Sequence, residues 1–214
     1  MAITFPLSLA VFANSLRVES ATFTCQTQRQ VASLAGGEII SSEVAAALWE
    51  GEIALTAMSR EDGSQLAALL TELEVPGRAF RIYDPARRYP ALDPGGASIA
   101  GSSPVISAHT ASTLTLGGMP NGYVISPGDY VSFTYGTDRR ALHRFVEGAT
   151  VSGGSTGALQ VQPHVRGTVS GGTSCTLSSP WCFAVTVPGS VDFGSYSGTL
   201  VYGMSFKFRQ VLRA

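Results

Sequence analysis

Few side chains in this 214-residue sequence have the type and spacing that chemistry requires. Its three histidines are His109, His143 and His164. His143 in ALHRF and His164 in QPHVR fall on neighbouring expected strands, and with Asp129 they come nearest to a metal-ligand set. Their spacing matches no ligand pattern, and a metal centre needs three or four donors oriented by further hydrogen bonds. No metal is expected. Carboxylates are paired at Glu50 with Glu52 and at Glu61 with Asp62. Residues two apart on a strand share a face, as acid–base chemistry would need, but such pairs are ordinarily solvated. No Gly-x-Ser-x-Gly elbow and no Ser/His/Asp set stands out. The Gly-rich runs at 152–157 and 170–173 lead into no helix and are followed by no Lys-Ser or Lys-Thr, so they read as hairpin turns rather than phosphate cradles. Trp49 and Trp181 have faces on which a sugar could stack, although aromatic residues are more often core. The expectation is a protein with no catalytic residues, no cofactor and no enzymatic activity.

Composition narrows the classes further. Net charge is −1, and only 14% of residues are charged, against roughly a quarter in ordinary soluble domains. A near-neutral chain without a basic stripe is not expected to recognise nucleic acid, which demands cations to displace counterions. No run approaches the length of a transmembrane helix, so membrane insertion is not expected. The apolar stretch at 5–13 superficially resembles a signal peptide but lacks a basic start and contains Pro6, which suits the first turn of a short helix with Leu9, Phe12 and Leu16 on one face. Cys25, Cys175 and Cys182 make an odd count. A Cys175–Cys182 bridge is geometrically possible, yet free thiols are the expectation.

The element that organises the chain is a strand–helix–strand unit at 49–84. Leu66, Leu69, Leu70 and Leu73 fall at i, i+3, i+4 and i+7, one face of a helix spanning about 59–73. Ser59 and Asp62 form its N-terminal cap, and Val75-Pro76-Gly77 ends it. Alternation predicts strands at 17–30 and 80–83, and another strand or a frayed turn at 38–47. Residues 84–96, DPARRYPALDPGG, read as an extended loop whose Arg87, Arg88 and Tyr89 suit an interface. Beyond residue 97 the pattern is wholly β, and the run 200–212 sets Tyr202, Met204, Phe206 and Phe208 against polar neighbours, as in a closing strand. The fold class is mainly β with one amphipathic helix, α+β: a β-sandwich or split-barrel N-terminal unit at 1–96, a second β unit at 97–200, and a closing strand at 201–214 that returns to the first.

Segment 122–166 contains three motifs, Pro127-Gly128-Asp129-Tyr130 at a turn entering a strand, Ala141-Leu142-His143-Arg144, and Pro163-His164-Val165-Arg166. On these residues the segment is similar to a family of minor tail proteins of long-tailed, siphovirus-type bacteriophages and prophages. Segments 5–16, 48–55, 83–90 and 203–212 resemble the same family, while 170–193 departs from it. The resemblance implies a virion structural protein of the tail tip or baseplate, assembled in the host cytoplasm, and most like the distal tail protein. Its first unit would build a homohexameric ring joining the tail tube protein to the hub and fibre proteins, and its second would lie at the periphery. Contacts between subunits would then fall along the helix-bearing unit and the following loop, at Arg60, Arg81, Arg87, Arg88 and Tyr89. The alternatives are a tail hub or a module that binds cell-surface glycan around Trp181.

Overall fold

The computed structural model describes residues 3–33 and 35–213; Met1, Ala2, Leu34 and Ala214, and with them the outer ends of the first and last expected units, lie outside the described residues. Alternating side chains make two long strands at the start, β1 (Val18–Ser33) and β2 (Ile39–Leu55). A short β3 (Met58–Ser59) leads directly into α1 (Arg60–Leu73), followed by β4 (Phe80–Ile82). The middle of the chain supplies β5 (Val105–His109), β6 (Thr113–Gly117), β7 (Val124–Ile125), β8 (Tyr130–Tyr135), β9 (Arg139–Phe145), β10 (Ala149–Thr150), β11 (Ser155–Gln162) and β12 (Thr173–Thr176). The last part gives β13 (Cys182–Thr186), β14 (Ser195–Ser197), β15 (Leu200–Tyr202) and β16 (Ser205–Val211). The fold is mainly β with a single α-helix among the described residues, as the periodicity implies.

Two β bodies result. A five-stranded antiparallel sheet has the order β1-β2-β16-β13-β4, and β11-β6-β5-β12-β8-β9 close into a barrel. Closure removes the barrel's open edges, so it has no strand left to pair. Residues 182–186, grouped from sequence with the second unit, form β13 in the first sheet, beside the returning β16. Each body has its own apolar core. The barrel is filled by Ile106, Leu114, Leu116, Val131, Phe133, Phe145 and Val161, among others. The other core gathers Phe12, Trp49, Phe80, Phe206 and Phe208, and it also takes Tyr130 and Leu142 from the barrel wall. Trp49 is fully buried, and its indole N–H donates to the Leu142 carbonyl at 2.8 Å. That bond is the partner a buried indole needs. It places Trp49 in the core and ties the sheet to the barrel.

The helix is capped as expected: the Ser59 hydroxyl accepts from the Asp62 amide at 3.1 Å. At the other end the buried Thr186 hydroxyl donates to the Leu73 carbonyl at 2.8 Å, satisfying one orphan acceptor. Of the four leucines, Leu70 and Leu73 are buried while Leu66 and Leu69 are half-buried along a surface groove beside Val11 and Met58. Three sequence expectations are corrected. The opening helix is absent: residues 9–15 are turns, because Leu7 is drawn into a parallel bridge with Phe80 where the helix would have to begin. The loop at 84–96 contains a 3-10 turn, Pro85–Arg87, capped by the Asp84 carboxylate on the Ala86 amide. The closing run is two strands, not one. The chain turns at Gly203, with φ of 73°, leaving Tyr202 exposed while Met204, Phe206 and Phe208 stay in the core. No helix among the described residues is long and apolar enough to cross a membrane, which says nothing of β-barrel membrane proteins.

Candidate assembly surface

The residues with the best claim to chemistry are dispersed by the fold into structural tasks. His143, on β9, is buried and stacks on Phe133 with ring centroids 5.4 Å apart. Its Nδ1 lies 2.7 Å from the Pro163 carbonyl, an acceptor only, so Nδ1 carries the proton. Nε2 is buried without a partner. Burial depresses the imidazole pKa to about 4, the Pro163 bond opposing and the Arg166 charge adding to the shift. His164 is exposed and His109 is half-buried. Among the described residues no three His, Cys, Asp or Glu side chains converge as metal ligands.

Asp129 is fully buried and accepts from three donors: the Ser126 amide at 2.8 Å, the Ala91 amide at 2.9 Å and Arg87 Nη1 at 3.3 Å. It is a clamp joining the 84–96 loop to the barrel. Asp93 does similar work, accepting from the amides of Ser98 and Ile99 and from the Tyr123 hydroxyl. Glu50 and Glu52 share a face of β2 and sit opposite cations on β16, at 3.9 Å from Arg209 and 3.7 Å from Lys207. Glu61 accepts from Gln65, and Asp62 faces Arg17 at 3.3 Å. The three cysteines are free thiols; burial raises all three pKa values, that of Cys175 to about 12, which favours the protonated thiol.

The interface residues expected from sequence fall in two places. Arg60 is exposed at the start of α1, its guanidinium 5.6 Å from the Tyr196 ring centroid. The other four are half-buried along the seam between sheet and barrel. Arg87 reaches Asp129, Arg88 donates to Ser179 at 3.1 Å and lies over Tyr83 and Tyr89, and Arg81 lies over Trp181. Trp181 carries a second cation, Arg140, with its guanidinium carbon 4.2 Å from the ring centroid. The chain's own arginines therefore engage the ring proposed to stack on a sugar.

One surface has no such internal use. Strand β2 pairs with β16 only over Glu50–Ala54, whereas β1 and β2 pair from Leu55 out to Ile39. The far half of this hairpin consequently stands beyond the sheet as a two-stranded arm. Alternation fixes its faces. Val31 pairs with Ser41 and lies on the face of Ile39, while Ala32 pairs with Ile40 on the opposite face. Val31, Ile39, Ile40 and Val44 are 62%, 69%, 53% and 67% exposed, so both faces show apolar side chains to solvent. The base of the arm is anchored: Arg166 donates to the Ala47 carbonyl, and residues 43–47 flank a groove shared with Pro163 and His164. The outer edge of β1 pairs with no strand among the described residues. The opposite sheet edge is different, because β4 is covered by the Leu7 bridge. An open edge with apolar side chains is a template for pairing with another chain.

Local pattern alone leaves 38–47 as a strand or a frayed turn and does not mark the arm. Its signal was the apolar pair Ile39-Ile40 next to a Gly-Gly turn, in a segment too polar elsewhere to supply a core. The residues that carry the family resemblance meet at one place. The Asp129 carbonyl accepts from the Phe145 amide at 2.8 Å, Tyr130 pairs with Arg144, and His143 bonds the Pro163 carbonyl. They form a structural knot at the sheet–barrel junction. Fold and surface together define a two-body β protein with a projecting hairpin arm. No protein-family model matches the chain, and no curated protein matches it in sequence.

Proposed function

We propose that this protein is a structural subunit of the distal end of a long, non-contractile phage tail, where copies close into a ring between the tail tube and the hub and fibre proteins. The arm carries the reading. A ring requires heterologous contacts, one surface of each subunit fitting a different surface of the next. The arm offers an open β edge and apolar side chains on both faces, while the covered β4 edge differs from it, so the sheet is asymmetric in the way that head-to-tail contact needs. Covering Val31, Ile39, Ile40 and Val44 would contribute about 1–2 kcal/mol each, enough to offset part of the cost of association. The dispersal of His143, Asp129, Glu50 and Glu52 into structural bonds supports a scaffold role. The resemblance on segments 127–130, 141–144 and 163–166 supplies the tail.

The test is the mass of the full-length protein in solution, by native mass spectrometry and sedimentation. The expected species is a closed homo-oligomer. A double variant, Ile39→Lys with Ile40→Lys, retains the wild-type circular-dichroism spectrum and runs as a monomer. A wild-type protein that is monomeric at every concentration, alone and in assembled tails, overturns the reading.

A further inference from the structure

Two arginines at the sheet–barrel seam have no ion-pair partner among the described residues, unlike Arg87, which pairs with Asp129. Arg81 projects from β4 and Arg140 from β9, and their guanidinium carbons lie 4.6 and 4.2 Å from the same Trp181 ring centroid. The indole is itself held in place. Its backbone amide donates to the buried Ser132 hydroxyl at 3.2 Å, and Phe183 packs edge-on at 5.0 Å. Arg140 is oriented by the same hydroxyl, donating through Nη2 at 2.8 Å, with Nη1 on Thr134 at 3.2 Å. Arg81 makes no side-chain hydrogen bond and no ion pair among the described residues, and the Nε atoms of both arginines are buried without acceptors.

This arrangement is costly if left alone. Two fixed cations repel, and buried N–H donors without acceptors lose their hydration uncompensated. The repulsion is felt: burial first, and the Arg81 charge second, lower the Arg140 pKa to about 10. The neighbouring thiols of Cys175 and Cys182 remain protonated and supply no negative charge. Elsewhere along the seam the same chain answers Arg87 with Asp129. Arg81 and Arg140 are both half-buried. Planar guanidiniums beside a common aromatic platform suit the two or three oxygens of a carboxylate or phosphate.

We propose that Arg81 and Arg140, set on the Trp181 indole, form an oxyanion-binding site that accepts a carboxylate or a phosphate group. The anion lies at the rim of the indole, where it meets donors from both arginines. It has two possible sources: a free ion, or an acidic side chain of a neighbouring copy. In the second case the inference rests on the ring reading; in the first it does not.

Trp181 is the built-in reporter, because the other tryptophan, Trp49, is buried in the core away from solvent. Tryptophan emission is titrated with inorganic phosphate and with acetate, against chloride at equal ionic strength. The proteins are the wild type, Arg81→Met, Trp181→Phe and the Ile39→Lys/Ile40→Lys double variant. Arg81→Met is the informative substitution because it breaks no internal hydrogen bond; Arg140→Met would also strip Ser132 and Thr134. A free-ion site gives a saturable emission change in the wild type, about tenfold weaker in Arg81→Met, as expected for one lost charge-assisted bond, and absent in Trp181→Phe. A site filled by a neighbouring copy gives no response in the wild-type oligomer and a saturable response in the double variant. No oxyanion response beyond chloride in either the wild type or the double variant overturns the proposal, and leaves the ring reading untouched.

Discussion

Acidifying this protein should destabilise it through a single buried imidazole, and the size of the effect follows from where that imidazole sits. His143 is 3% exposed, stacked on Phe133, and donates its Nδ1 proton to the Pro163 carbonyl, so a second proton on Nε2 would be charged, buried and unpartnered. Its folded-state pKa is depressed from 6.5 to about 4, burial being the main cause. Between those two values the unfolded chain binds a proton that the folded chain refuses. Stability from this group is therefore fully present above the unfolded pKa and is lost as pH falls towards the folded one. Relative to pH 7 the loss is about 2 kcal/mol at pH 5 and about 3 kcal/mol at pH 4. The control is His143→Gln, whose amide can still donate to the Pro163 carbonyl but cannot titrate. Urea unfolding followed by circular dichroism at pH 7, 6 and 5 gives both stabilities. Carboxylates and other titrating groups are common to both proteins and cancel in the difference. The wild type should be the more stable at pH 7, with its advantage shrinking by about 2 kcal/mol at pH 5. Parallel profiles for the two proteins over this range would refute the reasoning, because the imidazole would then titrate alike in the folded and unfolded chains.

Two further substitutions probe the framework. Asp129→Ala strands the amides of Ser126 and Ala91 and the Arg87 guanidinium at a fully buried site; it should cost about 3 kcal/mol in chemical unfolding, and Asp129→Asn, which keeps one acceptor, distinctly less. Gly51→Ala places a Cβ only 1.9 Å from the Thr22 carbonyl oxygen on the paired strand; the hairpin must shift at its root, with a loss on the order of 3 kcal/mol and a fall in melting temperature.

Much of the fold was legible because its signals are local. Ser59, the leucine spacing and Pro76 specify α1 without reference to anything distant. The alternation of Phe206 and Phe208 with Lys207 and Arg209 specifies β16 and its buried face. What local pattern misses is partnership. The opening segment has the residues of a short helix, but its fate is decided by Leu7 meeting Phe80, more than seventy positions away. Residues 182–186 return to the first sheet because β16 and β4 are waiting there, and nothing in CFAVT announces it. The candidate surface was harder still. Val31, Ile39, Ile40 and Val44 are ordinary strand residues, and only the point at which β16 stops accompanying β2 turns them into an exposed arm. Arg81, Arg87, Arg88 and Tyr89 suit intersubunit contacts by their chemistry alone. Their positions along a seam within the chain depend on a barrel whose strands lie between residues 105 and 176.

The central claim is a place and a copy number. Electron microscopy of tailed particles bearing a label on this chain tests both together. The account predicts label confined to the distal end of the tail tube, in the six copies of a closed ring. Three copies would favour the hub. Label along the tube or on the capsid, or particles that assemble complete tails without the protein, would contradict it.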